Sequence, residues 1–110
     1  TPHRARLEAV ARSITDAPCQ TYDFRKIART LHLSYSQFRR LFRRCLGHAP
    51  HEYLLLSRMR LAARALQDPD RQVKEVAAGC GYEDPAQFCK LFKKKIGMSP
   101  QQYRNALPRT

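Results

Sequence analysis

The most informative segment of this 110-residue chain is SYSQFRRLFRRCLG, residues 34–47. Its apolar side chains recur at the spacing of a single helix face, and they are Phe38, Leu41, Phe42 and Cys45. Ser34 with Gln37 three residues later is the pattern of an N-terminal capping box, and Gly47 is a typical helix terminator. The segment therefore predicts an amphipathic α-helix with one face that packs against a core.

The opposite face of this predicted helix is strongly basic and carries Ser36, Arg39, Arg40 and Arg43. Arginine has a permanent charge and a planar fork of donors, which suit phosphate oxygens and the O6/N7 edge of guanine. Taken alone, the segment is better explained as an ordinary amphipathic helix whose basic face is solvated. A second copy in the same chain changes that interpretation.

This second copy begins fifty residues further on and reads QFCKLFKKKIG, residues 87–97. Seven residues of the first half have an identical partner at this offset, namely Gln37, Phe38, Leu41, Phe42, Gly47, Pro50 and Tyr53. Upstream the repeat continues at an offset of 49, where Ile27-Ala28 matches Val76-Ala77, and a turn absorbs the one-residue difference. Two copies of a short helix, a tight turn and a basic helix predict two helix-turn-helix units.

Together with the rest of the chain, these motifs predict an all-α fold class. The predicted architecture has two helix-turn-helix subdomains joined by a long linker helix, with about seven helices in total. Apolar spacing predicts an opening helix within residues 2–16 and a second helix over about 24–32, capped by Asp23. Pro50 begins a linker helix of about 18 residues. Ser99 caps a short last helix.

The predicted organisation is a first helix-turn-helix subdomain at 1–48, the linker helix at 49–68 and a second helix-turn-helix subdomain at 69–110. In the first subdomain, His32 stands at the corner where such motifs often carry glycine, which predicts a left-handed backbone conformation. In the second, Asp84 followed by proline is a strong signal for the start of the basic helix.

The chain is strongly basic, with 21 Lys and Arg residues against 9 Asp and Glu, a formal net charge of +12 and a sequence pI of about 10.2. This balance is typical of proteins that bind polyanions, and it favours nucleic acid over an acidic membrane surface. No apolar run is long enough to span a bilayer, and the first residues lack the pattern of a signal peptide. We therefore expect no association with a membrane.

The four cysteines, Cys19, Cys45, Cys80 and Cys89, include no CxxC pair. Cys45 and Cys80 fall on predicted core stripes, so we expect reduced, buried thiols in a cytosolic protein, with neither a metal site nor a cofactor. A buried cysteine without an adjacent base, in a chain without paired carboxylates, also predicts that these residues form no enzyme active site.

These motifs together resemble the DNA-binding domain of the AraC/XylS family of bacterial transcription regulators, over roughly residues 3–106. The second half carries the family signature most closely, in Val76-Ala77, Cys80-Gly81-Tyr82, Phe88, Phe92-Lys93, Gly97, Ser99-Pro100 and Tyr103-Arg104. In the linker helix, Arg58 and Leu61-Ala62 also match the family. The resemblance implies two recognition helices that enter successive major grooves of double-stranded DNA and are held apart by the linker helix.

The resemblance also implies which side chains contact DNA. In the first unit the matching base-reading positions are Tyr35, Ser36, Gln37, Arg39 and Arg40. In the second unit they are Pro85, Ala86, Cys89 and Lys90. The positions expected to contact phosphates are Arg43, Arg44, Lys93 and Lys94. A bidentate pair between arginine and guanine discriminates by ~1–3 kcal/mol, whereas Cys89 and Ala86 offer weak or apolar contacts, so we expect the first unit to supply most of the base specificity.

Several functions are compatible with these features. The first is sequence-specific DNA binding that regulates transcription, with activation as the expected mode. An alternative is the DNA-targeting module of a larger DNA-repair or other enzyme, and another is a non-specific nucleic-acid binder, which the charge alone would allow. The different outward faces of the two units favour sequence readout. A peptide that lies on a membrane surface fits the capped, core-bearing helices poorly.

The chain begins at Thr1 without an initiator methionine, so we expect a fragment of a longer regulator. By resemblance, a preceding domain would bind a small-molecule effector, and the whole protein would contact RNA polymerase in the bacterial cytoplasm, at the nucleoid. The fragment alone is expected to be a monomer, because no exposed apolar stripe is left over for a dimer interface.

Overall fold

Seven α-helices account for most of residues 2–108, which are the residues that this computed structural model describes. They are α1 (Arg4–Asp16), α2 (Phe24–Thr30), α3 (Tyr35–Leu46), α4 (Pro50–Ala65), α5 (Val73–Gly79), α6 (Pro85–Ile96) and α7 (Pro100–Ala106). Within those residues there is no β-strand, so the predicted all-α class is confirmed. Contacts divide the chain into two compact units, Thr1–Leu55 and Leu56–Thr110, and the division falls inside α4.

The first unit packs α1 and α2 against α3. Phe38 and Phe42 on α3 are fully buried, as predicted for its apolar face, and so are Leu7 and Ile14 on α1. The ring of Tyr53 meets that of Phe42 edge-on, with the ring centroids 5.5 Å apart. Because burying a side chain of this size contributes about 1.5–3 kcal/mol, this cluster holds α3 firmly in the unit.

The other two residues of the predicted apolar stripe, Leu41 and Cys45, are only half-buried and pack at the edge of this cluster. The prediction of a buried Cys45 thiol is therefore wrong, because this residue lies in the last turn of α3, at the margin of the core. Cys80 is buried, as predicted. Cys19 and Cys89 are half-buried, and within residues 2–108 none of the four cysteines forms a disulfide bond.

Both ends of α3 are capped as the sequence predicts. The backbone N–H of Gln37 donates to the Ser34 hydroxyl oxygen at 3.1 Å, and the Ser34 N–H donates to the Gln37 side-chain carbonyl at 3.0 Å. At the other end Gly47 has a φ of 86°, a left-handed conformation that glycine adopts without steric cost, and its N–H donates to the carbonyl of Arg43. These bonds satisfy terminal backbone groups and define where the basic helix begins and ends.

The corner between α2 and α3 bends at His32, whose φ of 59° confirms the predicted left-handed conformation. The bend allows the Leu33 N–H to donate to the Ala28 carbonyl at 3.0 Å, which closes the turn. In the second unit Gly81 stands at the same position of the corner, with a φ of 91°. A left-handed conformation costs a residue other than glycine roughly 1–2 kcal/mol, so the first corner is the more strained of the two.

The second unit repeats this arrangement with α5, α6 and α7. Phe88 and Phe92 of α6 are fully buried, and the ring of Phe92 meets Tyr103 of α7 nearly edge-on at a centroid distance of 5.8 Å. The Asp84 carboxylate caps α6 by accepting from the Ala86 N–H at 3.0 Å. The two phenylalanines of each basic helix thus have the same role in both units, and the predicted pair of helix-turn-helix motifs corresponds to α2–α3 and α5–α6.

Two helices are shorter than predicted. The second helix ends at Thr30, before the corner, and α4 has 16 residues, ending at Ala65. Beyond Ala65 the chain continues in single turns, in which the N–H of Gln67 donates to the Arg64 carbonyl and that of Asp68 to the Ala65 carbonyl, both at 3.2 Å. Such bonds between residues three apart are common where an α-helix ends.

Arg104 on α7 stabilises the segment that follows α4. Its guanidinium donates to the backbone carbonyls of Leu66 at 3.1 Å and Asp68 at 3.2 Å, and also to that of Arg71. The Asp68 carbonyl also accepts from the backbone N–H of Arg71 at 3.2 Å, so the Arg104 guanidinium adds to the few local backbone bonds of this loop. The bonded residues lie 33 to 38 positions away along the chain.

Candidate nucleic-acid interface

The outward face of α3 forms a basic groove in the first unit. Ser36, Arg39, Arg40 and Arg43 are exposed there, and together with Ala49 they line a shallow groove of about 310 Å³. The structure therefore brings together four of the residues that the sequence predicts to contact DNA. Since three guanidinium groups line it, the groove suits a ligand that is anionic or rich in hydrogen-bond acceptors.

Two further residues of α3 were predicted to contact DNA, Gln37 and Arg44, and both are exposed. The side-chain carbonyl of Gln37 is occupied by the capping bond to Ser34, so a contact with a base would use its side-chain NH₂ group. Arg44 lies in the last turn of α3, next to Arg43. Their contacts with DNA stay predictions.

Tyr35, at the first position of α3, is half-buried and packs against the core of the first unit. The guanidinium carbon of Arg25, on α2, lies over the Tyr35 ring at 4.4 Å from the ring centroid. The guanidinium carbon of Arg39, one helical turn after Tyr35, lies at 5.7 Å from the same centroid. Both distances are within the range of a cation–π interaction. The ring of Tyr35, a residue predicted to contact a base, thus already contacts two arginines of its own unit.

Arg25 is absent from the residues predicted from the sequence. It lies ten positions before Tyr35, and their contact crosses the turn between α2 and α3, so no periodic spacing marks the pair. The available signal was its place at the start of the helix before the basic helix, because the first helix of a helix-turn-helix motif crosses the DNA backbone.

The outward face of α6 differs chemically from that of α3. Its predicted contact residues are Pro85, Ala86, Lys90, Lys93 and Lys94, which are exposed, and Cys89, which is half-buried. A lysine ammonium is a compact point charge on a flexible stem, which neutralises a phosphate but lacks the planar fork of a guanidinium. The second unit therefore offers charge and small apolar groups where the first offers guanidinium forks.

Positive charge on both helices is not offset by neighbours on the same helix. α3 carries four arginines, α6 carries four lysines, and neither helix contains an acidic residue. Each unit is also basic as a whole, with ten Lys and Arg against four Asp and Glu in residues 1–55, and eleven against five in residues 56–110. Both units therefore attract polyanions at long range.

Residues 2–108 contain neither a candidate metal site nor a helix that could span a membrane. Among residues 2–108, no group of three or more His, Cys, Asp or Glu side chains is placed to hold a metal ion. Of the helices in that part of the chain, none is both long and apolar enough to cross a bilayer.

Comparisons with known proteins agree on the kind of domain. A family model described as a helix-turn-helix domain matches residues 27–106. An uncharacterized HTH-type transcriptional regulator of Haemophilus influenzae is 30% identical over 102 residues, which cover 93% of this chain and 34% of that protein. The probable transcriptional regulator LumQ of Photobacterium leiognathi is 35% identical over 72 residues, or 66% of this chain and 29% of that protein. The chain thus spans about a third of the length of the curated relatives it matches.

Two solved structures are similar over most of the chain. The DNA-binding domain of AdpA, a global transcriptional factor, in complex with a target DNA, matches with a TM-score of 0.78 and 32% identity, covering 91% of this chain and 90% of that chain. The C-terminal domain of AraT, a response regulator from Geobacillus stearothermophilus, matches with a TM-score of 0.80 and 27% identity, covering 94% and 87%.

Proposed function

Because the chain belongs to the AraC-type family of helix-turn-helix transcription regulators, we propose that it binds double-stranded DNA at specific sequences and thereby regulates transcription. The observation that carries this proposal is the duplicated basic helix. Both α3 and α6 are capped, hold two fully buried phenylalanines and contain no acidic residue. A rigid basic helix with a defined start is the element that helix-turn-helix proteins place in the major groove.

In the first unit, Arg39 and Arg40 are the groups best suited to read bases. Each guanidinium has the geometry to bond both O6 and N7 of a guanine, and one such pair discriminates against a wrong base by ~1–3 kcal/mol. The hydroxyl of Ser36, in the same groove, both donates and accepts, so it suits several base edges. Arg43 and Arg44, about one turn further along α3, are assigned to phosphates.

In the second unit, Lys93 and Lys94 are assigned to phosphate oxygens, which they bind by charge. Lys90, which the resemblance places among the base readers, is proposed to act mainly through its charge as well. Pro85 and Ala86 provide a small exposed apolar surface that suits a thymine methyl group. Cys89 contributes little, since its thiol is half-buried and is a weak donor. The first unit therefore supplies most of the base specificity, and the second binds mainly the DNA backbone.

The two basic helices are proposed to occupy successive major grooves, which recur every ~34 Å along the DNA. Support comes from the sequence repeat, which gives the chain two basic helices of 12 residues, each with two buried phenylalanines. A bound site would then contain two short motifs in direct orientation, about one helical turn apart.

For the whole protein we propose a non-catalytic transcription regulator that acts in the bacterial cytoplasm, at the nucleoid. Its contact with RNA polymerase and its response to a small-molecule effector belong to this proposal, with the effector bound by a domain outside this chain. Activation is the expected mode, and the isolated chain is proposed to be a monomer. Support for this assignment is that the curated relatives are transcriptional regulators more than twice as long as this chain.

Selection of bound sequences from a random duplex pool, at near-physiological salt, tests the proposed function. We expect recovery of two short motifs about one helical turn apart, with guanine in the more strongly enriched one. A matched selection with the Arg39→Ala, Arg40→Ala double variant should lose enrichment at one motif and keep the other.

The alternative functions predict different results, either in this selection or in the gene that encodes the chain. A non-specific nucleic-acid binder would enrich no sequence, and its affinity would collapse as salt rises. A DNA-targeting module of a repair enzyme would enrich a sequence as well, but the gene that encodes it would also encode a catalytic domain.

A further inference from the structure

The ring of Tyr35 connects two exposed arginines that belong to different helices. Arg25 is the second residue of α2, and Arg39 is on the outward face of α3, where it lines the basic groove. Their guanidinium carbons lie 4.4 and 5.7 Å from the same ring centroid. A single half-buried side chain therefore lies against two cationic side chains on the surface of the first unit.

We propose that Tyr35 is a positioning residue, a stacking platform that holds Arg25 and Arg39 in place before DNA binds, and that Arg25 thereby becomes a phosphate contact outside the recognition helix. This inference rests on the proposed function and adds two roles to the same site. The inference changes the predicted role of Tyr35: the ring orients Arg39, which reads a base, and does not read a base itself.

The stack matters because an exposed arginine has many rotamers, and binding must select one of them. A side chain already restrained by a ring loses less conformational entropy when it bonds to its target. Tyr35 is itself restrained, since it packs against the core and forms the first residue of a capped helix. Arg39 is thus presented to a base edge in a geometry that the fold has already determined.

The two guanidinium groups also point to an anionic ligand. Measured through the ring centroid, they lie at most about 10 Å apart, so two positive charges share a small part of the surface. A phosphate beside Arg25 would be attracted by this local positive charge. The first helix of a helix-turn-helix motif crosses the DNA backbone, which makes a phosphate the natural anion at that position.

The platform is a property of the first unit alone. At the offsets of the repeat, the residues that correspond to Arg25, Tyr35 and Arg39 are Lys74, Pro85 and Cys89. None of these three side chains is aromatic, so the second unit cannot reproduce the stack. This difference agrees with the assignment of base reading mainly to the first unit.

A double-mutant cycle tests the inference, with affinity for the selected duplex as the readout. The variants are Arg25→Gln, Tyr35→Leu and their combination, and Tyr35→Phe is the conservative variant because it retains the ring face. We expect Tyr35→Phe to bind within two-fold of the unmodified chain and Tyr35→Leu to lose about two- to five-fold, the range of a cation–π interaction at an exposed site. Arg25→Gln should weaken binding clearly in the unmodified chain and much less in the Tyr35→Leu background.

The salt dependence of binding gives a readout that a merely structural role would not change. If Arg25 contacts a phosphate, Arg25→Gln should reduce the slope of log K against log salt by about one. Arg29→Gln removes an equal charge from the same helix and is the matched control. Its effect on affinity should be the same with and without the ring of Tyr35.

Thermal unfolding of each variant is measured alongside, because Tyr35 is half-buried. If Tyr35→Leu does not fold, the salt slope of Arg25→Gln decides the question. An unchanged slope, additive effects in the cycle, or an equal loss from Tyr35→Phe and Tyr35→Leu would overturn the inference. A failure of the unmodified chain to prefer its selected duplex would instead overturn the proposed function.

Discussion

Arg40 and Lys90 occupy the same position in the two copies of the basic helix, and both are exposed. Their head groups nevertheless differ in what they recognise. A guanidinium presents a rigid planar fork to two acceptors at once, whereas an ammonium is a compact point charge on a flexible stem, with less fixed geometry. At the scale of single residues, this difference is the basis for assigning specificity to the first unit.

The substitution Arg40→Lys tests that difference because it keeps the charge and removes the planar fork. We expect the preference for one base pair to fall by about 1–3 kcal/mol, while the slope of log K against log salt stays the same. Titrations against duplexes that differ at one base pair measure both quantities.

The comparison variants for this prediction are Lys90→Ala and Arg39→Ala. Lys90→Ala should weaken binding to all duplexes about equally and reduce the salt slope by about one. Arg39→Ala should relax the preference at one base pair. A larger loss of base preference from Lys90→Ala than from Arg39→Ala would show that the second unit is the principal reader.

Tyr82 provides a test of the energetics of the core at the same scale. Its hydroxyl is buried and has no hydrogen-bond partner within residues 2–108, while its ring packs on Phe88 at a centroid distance of 5.8 Å. An unpaired buried hydroxyl costs about 1–3 kcal/mol, and phenylalanine retains the ring. We therefore expect Tyr82→Phe to raise the free energy of unfolding, measured in urea, by up to about 1 kcal/mol.

Tyr22→Phe is the control, because the Tyr22 hydroxyl has partners. It lies 2.7 Å from the Ala17 carbonyl oxygen and 2.9 Å from that of Ser13. Removing it should lower the free energy of unfolding by about 0.5–1.5 kcal/mol. Equal losses from Tyr22→Phe and Tyr82→Phe would mean that the Tyr82 hydroxyl is hydrogen-bonded in solution.

At the scale of elements, the seven-residue helix α7 stabilises the loop after α4 through Arg104. We expect Arg104→Lys to lower the free energy of unfolding by about 1–3 kcal/mol, because a single ammonium cannot replace a fork that reaches the carbonyls of Leu66, Asp68 and Arg71. Hydrogen exchange should also become faster in residues 66–72, which mass spectrometry measures.

The control for this prediction is Gln101→Ala on the same helix. The Gln101 side-chain amide donates to the Asn105 side chain at 3.1 Å on an exposed surface, so its loss should change stability by less than about 0.5 kcal/mol. If Arg104→Lys leaves hydrogen exchange in residues 66–72 at the level of Gln101→Ala, the guanidinium bonds contribute nothing to that loop.

The starts and ends of the helices show which features could be predicted from the sequence, and why. Asp23, Ser34 and Ser99 begin their helices at the predicted residues, and His32 adopts the predicted corner conformation. These signals are local, because a cap or a turn bonds to backbone groups within a few residues. The predicted end of α4 was less accurate, because the helix ends at Ala65, three residues before the predicted stop.

The contacts of Arg104 and Arg25 lay beyond prediction from the sequence because they depend on how separate segments pack, and not on spacing within one helix. Arg104 bonds to carbonyls at least 33 residues away, and no side-chain spacing identifies a carbonyl as a partner. In the candidate site, the exposed positions of Arg39, Arg40 and Lys90 followed from helical periodicity. The stacking of Arg25 on Tyr35 depends on how two helices pack, so only the structure reveals it.

At the scale of the whole molecule, the net charge of +12 is shared equally by the two units. Charge of this size speeds the encounter with DNA and supports binding to any sequence, but it carries no sequence information. We propose that specificity comes from the side chains on the outward faces of α3 and α6. The ratio between specific and non-specific affinity separates the two contributions.

That ratio is the most direct test of sequence-specific binding by this chain. The dissociation constants for the selected duplex and for a shuffled duplex of the same composition are measured at near-physiological salt. We predict that the selected duplex binds at least about 10³-fold more tightly. A ratio near one, with an affinity that depends only on salt, would show that the chain binds DNA by charge alone.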